Sequence, residues 1–376
     1  MKIMHITETV TGGIASYLDE IVERQVQEFG ISNIRFVVPE GSAGELKRVP
    51  HCTIMPFTRR RRGIFSFIHY AYQVFNIVKA ENPDIIHAHS TFAGLASRLL
   101  FGGKRHVRLV YCAHGWAFLQ NTASWKKTLY ANIESILGHY TDVFINPSKN
   151  ELRKSAAAGI SQEKSLLIYH GIGERRGELK KLGFPTDRLN LLFVGRFDTQ
   201  KGFDILFEAM KKLTALPCHL YVIGASVLEK VEYESNSNVT FLGWLPRDEL
   251  DSYYNAVDAI VMPSRWEAFG LTALEAMRNS VAVIASTAGA LPEVVSTNET
   301  GLVYPYNNAE CLAETLAALD RETLAIWGAN GFKRYRDLFT AERMNNELIA
   351  LYRCLVERAD VRTLRTSEVC QPGVAK

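Results

Sequence analysis

Ala259-Ile260-Val261-Met262-Pro263-Ser264-Arg265-Trp266-Glu267-Ala268-Phe269-Gly270-Leu271-Thr272-Ala273-Leu274-Glu275-Ala276-Met277 reads as a strand, a loop and a helix. The first four residues form an unbroken apolar run, and Pro263 ends it. A helix opens near Gly270, and its glycine lets the backbone approach a ligand closely. The helix N-terminus offers free N–H groups and a positive dipole end, which suit a phosphate. Glu275 lies about a turn and a half into an otherwise apolar helix. As an acceptor-only carboxylate it can take paired hydrogen bonds from ribose hydroxyls. Glu267, in the loop, can meet sugar hydroxyls. The plainer alternative is two solvated carboxylates flanking a core helix.

The same unit recurs on both sides of this stretch. In the second half, apolar runs at Leu189–Val194, His219–Ile223, Val239–Leu242, Val281–Ala285 and Gly301–Tyr304 read as strands. Helix-length amphipathic segments lie between them. The first half repeats the pattern, with strands at Lys2–Ile6, Ile34–Val38, Asp84–Ala88, Val107–Cys112, Val143–Asn146 and Leu166–Tyr169. Such alternation predicts α/β units whose parallel sheets are covered on both faces. Residues 171–188, rich in Gly and charge with Pro185, interrupt the alternation and read as a linker. The division predicted is therefore 1–170, a linker at 171–188, and 189–340. A C-terminal helix over 341–360 is expected to pack back on the first domain, before a tail at 361–376. Ligands of doubly wound sheets sit beyond the carboxyl ends of the strands, so two such domains would face a central cleft.

The chain has 376 residues, about right for two domains. Apolar residues make up 47% and charged residues 22%, which excludes disordered, collagenous and coiled-coil classes. No run approaches the roughly 20 apolar residues of a membrane span, and the opening apolar run is too short for a signal peptide. A cytoplasmic location is expected. The six cysteines are scattered without a C-x-x-C pair, as for reduced thiols rather than disulfides or structural zinc. Residues 1–170 hold 20 Lys and Arg against 13 Asp and Glu, a balance of +7; the remainder holds 23 against 27, or −4. Anionic lipid, a phosphorylated acceptor or nucleic acid would each suit the basic half.

Five further stretches carry chemistry. Phe193-Val194-Gly195-Arg196-Phe197-Asp198-Thr199-Gln200-Lys201-Gly202 places Arg196 and Lys201 at the carboxyl end of a strand. Arg clamps phosphate with two N–H groups and Lys acts as a point charge, so together they can neutralise a departing diphosphate. Alone, they are equally two exposed cations on a loop. Glu8 to Ala15 places Gly12 and Gly13 at a helix start, suited to a phosphate or sugar or simply to a turn; no G-x-G-x-x-G fingerprint is present. Tyr111-Cys112-Ala113-His114-Gly115-Trp116 ends a strand at His114, able to bond a sugar hydroxyl or steady developing charge, although an isolated His is more often structural. His87 and His89 share one face of a strand, a spacing metals use, but no third ligand accompanies them in the sequence. His89 is expected to line the acceptor side. Arg59-Arg60-Arg61-Arg62 precedes Ile64, Phe65, Phe67, Ile68, Tyr70, Tyr72 and Phe75; basic residues beside aromatics suit either an anionic membrane surface or a solvated run before a core helix.

Taken together, these stretches resemble the retaining GT-B-fold glycosyltransferases of family 4 over residues 1 to about 340. The most specific piece is Glu267 to Glu275, the E-x7-E element, within Pro-Ser-x-x-Glu-Ala-Phe-Gly. Gly195-Arg196 with Lys201-Gly202, Gly12-Gly13, His114-Gly115, Gly289-Ala290-Leu291-Pro292-Glu293 and Thr300-Gly301-Leu302-Val303-Tyr304-Pro305 match further family segments. The chain departs from the pattern at His170-Gly171, where Asn-Gly is usual, and at Ala288, where a second glycine is common.

The resemblance implies a UDP- or GDP-sugar donor held mostly by the second domain. Glu275 would bind ribose, and Arg196 with Lys201 the diphosphate. Phe269, Gly270 and Leu271 would give backbone contacts, and Glu267 with His114 would orient the hexose. The base would rest near Gly224 and Gly243-Trp244. The acceptor, a saccharide carried on a lipid, would enter along the basic first domain, with His89 and Arg59, Arg60, Arg61 and Arg62 on its side. The resemblance also implies retention by same-face attack. No D-x-D occurs, so neither an obligatory metal nor a cofactor is expected. Cell-surface polysaccharide assembly (capsule, exopolysaccharide or O-antigen) on the inner face of the cytoplasmic membrane is the implied setting. The rivals are a sugar-nucleotide epimerase of the same fold and a two-lobed sugar-nucleotide binding protein without turnover. Nucleic acid is not an expected partner, since the basic residues form one short cluster without a recognised motif.

Overall fold

A computed structural model describes the chain except residues 59–62, 105, 175–177, 227–232, 235 and 366–376. Arg59 to Arg62 and most of the tail thus lie outside the described residues. The chain divides into Met1–Gly171 with Ala341–Lys376, and Ile172–Thr340.

The first unit begins β1 (Ile3–Thr7), α1 (Gly13–Phe29), β2 (Ile34–Pro39), β3 (Ile54–Phe57), α2 (Ile64–Glu81) and β4 (Ile85–His89). It continues α3 (Thr91–Phe101), β5 (Arg108–Cys112), α4 (Ser124–Leu137), β6 (Val143–Asn146), α5 (Lys149–Ala157) and β7 (Ser165–Leu167). The sheet runs β3-β2-β1-β4-β5-β6-β7, and every pairing is parallel. Every residue of β1 and β4 is buried, which explains why these strands read as continuous runs rather than alternations. The strand expectation missed β3. Ile54-Met55-Pro56-Phe57 is short and contains a proline, a residue that breaks a ladder except at a sheet edge, and β3 is the edge strand.

The second unit contains β8 (Leu189–Val194), α6 (Phe203–Lys212), β9 (Cys218–Ile223), β10 (Val239–Gly243), α7 (Arg247–Tyr254), β11 (Ala259–Met262) and α8 (Leu271–Arg278). There follow β12 (Ala282–Ser286), α9 (Leu291–Val294), β13 (Gly301–Tyr304), α10 (Ala309–Ala317) and α11 (Arg321–Leu338). Its sheet runs β10-β9-β8-β11-β12-β13, again all parallel. Phe203, Leu206, Phe207 and Met210 bring one face of α6 into the core beside Leu191, Leu220 and Val261. The segment read as a linker belongs to this unit from Ile172 onward, and it is laid on the unit's own surface. Ile172 bridges Thr340, and Phe184 stacks on Tyr221 with centroids 3.8 Å apart.

Helix α12 (Ala341–Val356) returns to the first unit. Its Met344, Leu348, Leu351 and Tyr352 pack with Leu18, Ile21 and Val22 of α1 over one face of the first sheet. Tyr70, Val74, Ala93 and Ala96 of α2 and α3 cover the other face. Among the described residues no helix is long and apolar enough to cross a membrane, and Cys52, Cys112, Cys218, Cys311 and Cys354 are free thiols.

Strand order reverses between β1 and β4 in the first sheet and between β8 and β11 in the second. These reversals part the following turns and leave room for a ligand at the carboxyl ends.

Candidate active site

In the second unit the turns after β8, β9, β11 and β12 press backbone against backbone. Gly202 has φ 65°, and a Cβ there would stand 2.1 Å from the Pro263 oxygen. Gly289 has φ 58°, and its Cβ would stand 1.8 Å from the Glu267 oxygen. Gly224, at the end of β9, would meet the Gly195 oxygen at 1.8 Å. These close approaches hold the β8–α6 turn against the β11–α8 loop. Arg265 N–H donates to the Gln200 oxygen at 2.8 Å and Ala290 N–H to the Glu267 oxygen at 3.2 Å, which ties the loops further.

That scaffold gathers the predicted cations and carboxylate. Lys201 Nζ donates to Glu267 Oε1 at 2.5 Å, and Ser264 Oγ donates to the same oxygen at 3.1 Å. Glu267 is 8% exposed, so removing Lys201 would leave a buried carboxylate without its ion-pair partner. Arg196 lies on the same turn, its guanidinium 2.8 Å from Asp198 and 3.2 Å from Gln200 Oε1. Asp198 Oδ1 also accepts from the Lys201 N–H at 2.9 Å, fixing the turn. A guanidinium has five donors, so these contacts leave others for a ligand oxygen.

Helix α8 starts at Gly270, whose φ of 100° is left-handed, and no side chain caps it. Ala273 N–H donates to the Gly270 oxygen at 3.0 Å, and the Leu271 and Thr272 amides ahead of it suit an anion. The Phe269 side chain is buried, 5.7 Å edge-on to Phe339, so only its backbone can reach a ligand. Leu271, the first residue of α8, is half-buried. Further along, half-buried Glu275 accepts from the Tyr254 hydroxyl at 2.7 Å. Burial raises the Glu275 pKa above the usual carboxylate value, against the pull of Tyr254 and Arg278. Gly243 has φ 73°; beside it Trp244, 65% exposed, presents a free aromatic surface. Asp198, Ser264 and Tyr254, all partners of predicted residues, carried no sequence signal of their own.

In the first unit, Gly12 has φ 58° and precedes Gly13, the first residue of α1. His114 follows β5 in a left-handed conformation, φ 53°, uncommon for a residue with a Cβ. Its Nε2 lies 2.9 Å from His89 Nδ1. His89 Nε2 lies 3.0 Å from His5 Nδ1, and His5 Nε2 2.8 Å from Gln25 Oε1. His87 Nδ1 meets the Tyr352 hydroxyl at 2.7 Å. Burial lowers His5 to about 4 and His114 to about 3. It holds His87, His89 and His170 well below the usual imidazole value. All five rings are neutral at pH 7, so His114 would meet developing charge as a dipole, not as a cation.

Two expectations change here. His89 is fully buried with both ring nitrogens engaged, so it cannot touch an acceptor itself. The His87–His89 pair does have a third histidine beside it. His5, His87 and His89 bring ring nitrogens within 4.8 Å, as do Cys112, His114 and His170 with their sulfur and nitrogens. Pairing between neighbouring strands creates the first group, with His5 opposite His87, and sequence spacing does not reveal it. In the first group Gln25, Tyr352 and the imidazoles themselves supply hydrogen-bond partners.

Two all-parallel units, one with cations, a carboxylate and an uncapped helix start at its strand-order reversal, define a glycosyltransferase of the GT-B fold. The chain belongs to glycosyltransferase family 4. The "Glycosyltransferase Family 4" profile matches residues 11–176 and "Glycosyl transferases group 1" residues 174–334. A 41.2 kDa protein in the cps region of Klebsiella pneumoniae is 33% identical over 339 residues, 87% of this chain and 91% of the relative. O-antigen chain mannosyltransferase C of Escherichia coli is 24% identical over 376 residues, 95% of this chain and 99% of the relative. Among solved structures, sucrose-phosphate synthase from Thermosynechococcus elongatus superposes with a TM-score of 0.82 at 22% identity, covering 96% of this chain and 100% of that one.

Proposed function

We propose that the protein transfers a hexose, with retention, from a UDP- or GDP-sugar to a saccharide carried on a lipid during cell-surface polysaccharide assembly. The observation that carries this reading is the Lys201–Glu267 pair, with Arg196 on the same turn, beside the open start of α8. Relatives named for a cps region and for O-antigen chain mannosyl transfer support the pathway.

The chemistry follows from charge. The bond from the anomeric carbon to the diphosphate oxygen breaks, and its electron pair leaves with the diphosphate. Arg196, Lys201 and the α8 amides neutralise that anion, which lowers the barrier to an oxocarbenium-like sugar. Each ~1.4 kcal/mol of such stabilisation is tenfold in rate. The acceptor oxygen then bonds the anomeric carbon on the same face, and its proton passes to the departing phosphate oxygen. Glu267 orients the hexose and Glu275 accepts the ribose hydroxyls. Gly224 and Gly243 border the base. Because the chain's own cations neutralise the diphosphate, neither an obligatory metal nor a cofactor is part of this reading.

The enzyme works on the inner face of the cytoplasmic membrane as a peripheral protein. Supporting this, Trp125, Leu129, Ile133 and Ile136 form an exposed stripe on α4, and Lys126 lies 5.5 Å over the Trp125 ring. Ile64, Phe65, Ile68 and Tyr72 are exposed on α2.

A melting-shift panel of UDP- and GDP-sugars tests the donor, since a ligand of the native state raises the transition. At least one is expected to shift it; if none does, the donor assignment fails. NMR of the product then reads the anomeric configuration, and inversion would end the same-face mechanism. Release of sugar-nucleotide isomers without acceptor would favour an epimerase instead.

A further inference from the structure

Three imidazoles of the first unit, those of His5, His89 and His114, form a hydrogen-bonded chain that ends on Gln25. Gln25, buried on α1, presents Oε1 to His5 Nε2. An amide oxygen only accepts, so His5 Nε2 carries the proton. His5 is neutral, and its Nδ1 is therefore bare and accepts from His89 Nε2. By the same step, neutral His89 accepts at Nδ1 from His114 Nε2. One proton per ring thus propagates from Gln25 to His114, whose own Nδ1 is left bare. No described residue hydrogen-bonds that nitrogen, and it is not among the polar atoms shut away from solvent without a partner. Tyr17 and His170 pack around the ring with centroids 4.7 and 5.1 Å away.

We propose that Gln25, His5 and His89 are positioning residues that hold His114 as its Nε2–H tautomer, so that the bare Nδ1 accepts from a sugar hydroxyl and turns away phosphate oxygens. A lone pair attracts an O–H and repels an anionic oxygen. The opposite tautomer would reverse that preference. The chain costs burial of three polar side chains, Gln25, His5 and His89, and it satisfies both ring nitrogens of His5 and His89. It ends on a residue held in left-handed backbone. The sugar contact rests on the glycosyltransferase reading; the tautomer does not.

The test is 15N NMR of histidine-labelled full-length protein at pH 7.5, correlating ring nitrogens with ring-carbon protons, without donor or acceptor. The His114 signals are identified by their loss in His114→Asn. Wild type is expected to show a bare Nδ1 and a protonated Nε2 at His114. A protonated Nδ1, or a mixture of tautomers, would overturn the proposal. Gln25→Leu removes the terminal acceptor and is expected to mix the tautomers. With it, kcat should fall about tenfold, roughly the worth of one hydrogen bond, and Gln25→Glu, which keeps the acceptor, should restore both. Should Gln25→Leu not fold, the wild-type spectrum still decides. Full turnover by His114→Asn beside the expected spectrum would overturn the sugar contact.

Discussion

In the proposed function Lys201 and Glu275 divide the work of donor binding, and their replacements should separate. Lys201 is proposed to meet the negative charge as it develops, so Lys201→Ala should lower kcat about 100-fold, as for loss of one preorganised donor. Glu275 is proposed to bind the ribose, which does not react, so Glu275→Ala should raise the donor Kd about tenfold to a hundredfold, the worth of hydrogen bonds to a charged group. Steady-state kinetics and calorimetry read the two; unchanged constants in both variants would remove the site. Gly289 tests the scaffold beneath them. An added Cβ would meet the Glu267 backbone at 1.8 Å in a left-handed conformation, so Gly289→Ala should cost about 2–4 kcal/mol in chemical denaturation. At this scale Arg196, Lys201, Glu267 and Glu275 were legible because strand, turn and helix fix where each lies. Gln25, His5 and His89 were not legible as a chain, because a hydrogen bond between β1 and β4 depends on register that spacing does not encode.

The elements differ in how openly they declared themselves. Buried parallel strands are apolar runs, so the sequence placed them to within a residue or two, and α8 opens at Gly270 as expected. Edge strand β3 escaped because Pro56 sits in a position only an edge tolerates. Helix α4 is the element whose surface makes a prediction. Its Trp125–Leu129–Ile133–Ile136 stripe lies on one side at helical spacing. If that face meets lipid, wild type should cosediment with vesicles containing anionic phospholipid more than with zwitterionic ones, and Trp125→Ser with Ile133→Ser should lose at least half of that binding. Equal binding by the double variant would remove α4 from the membrane surface.

For the whole molecule, the buried histidines set an acid limit. Each is neutral in the folded state, while the unfolded ring titrates near 6.5. Below that pH the unfolded chain takes up protons that the native state refuses, so stability falls as pH drops from about 6.5 toward about 4, the His5 value. His5 alone accounts for roughly 3 kcal/mol over that window. Melting at pH 5 should therefore fall well below melting at pH 7.5, and His5→Gln should narrow the gap. A pH-independent midpoint would contradict the burial of these rings as neutral groups. The two-unit architecture was readable from the doubled strand–helix pattern, and the first unit's need for α12 follows from its sheet having a second face to cover.

The proposed transfer requires that the second unit recognise a diphosphate. Calorimetric titration of UDP against UMP, and of GDP against GMP, into wild type and the Arg196→Ala, Lys201→Ala double variant tests this most directly. For the base that binds, wild type should prefer the diphosphate by at least about tenfold, the worth of one charge-assisted hydrogen bond, and the double variant should lose that preference. A diphosphate preference that survives loss of both cations would contradict the account.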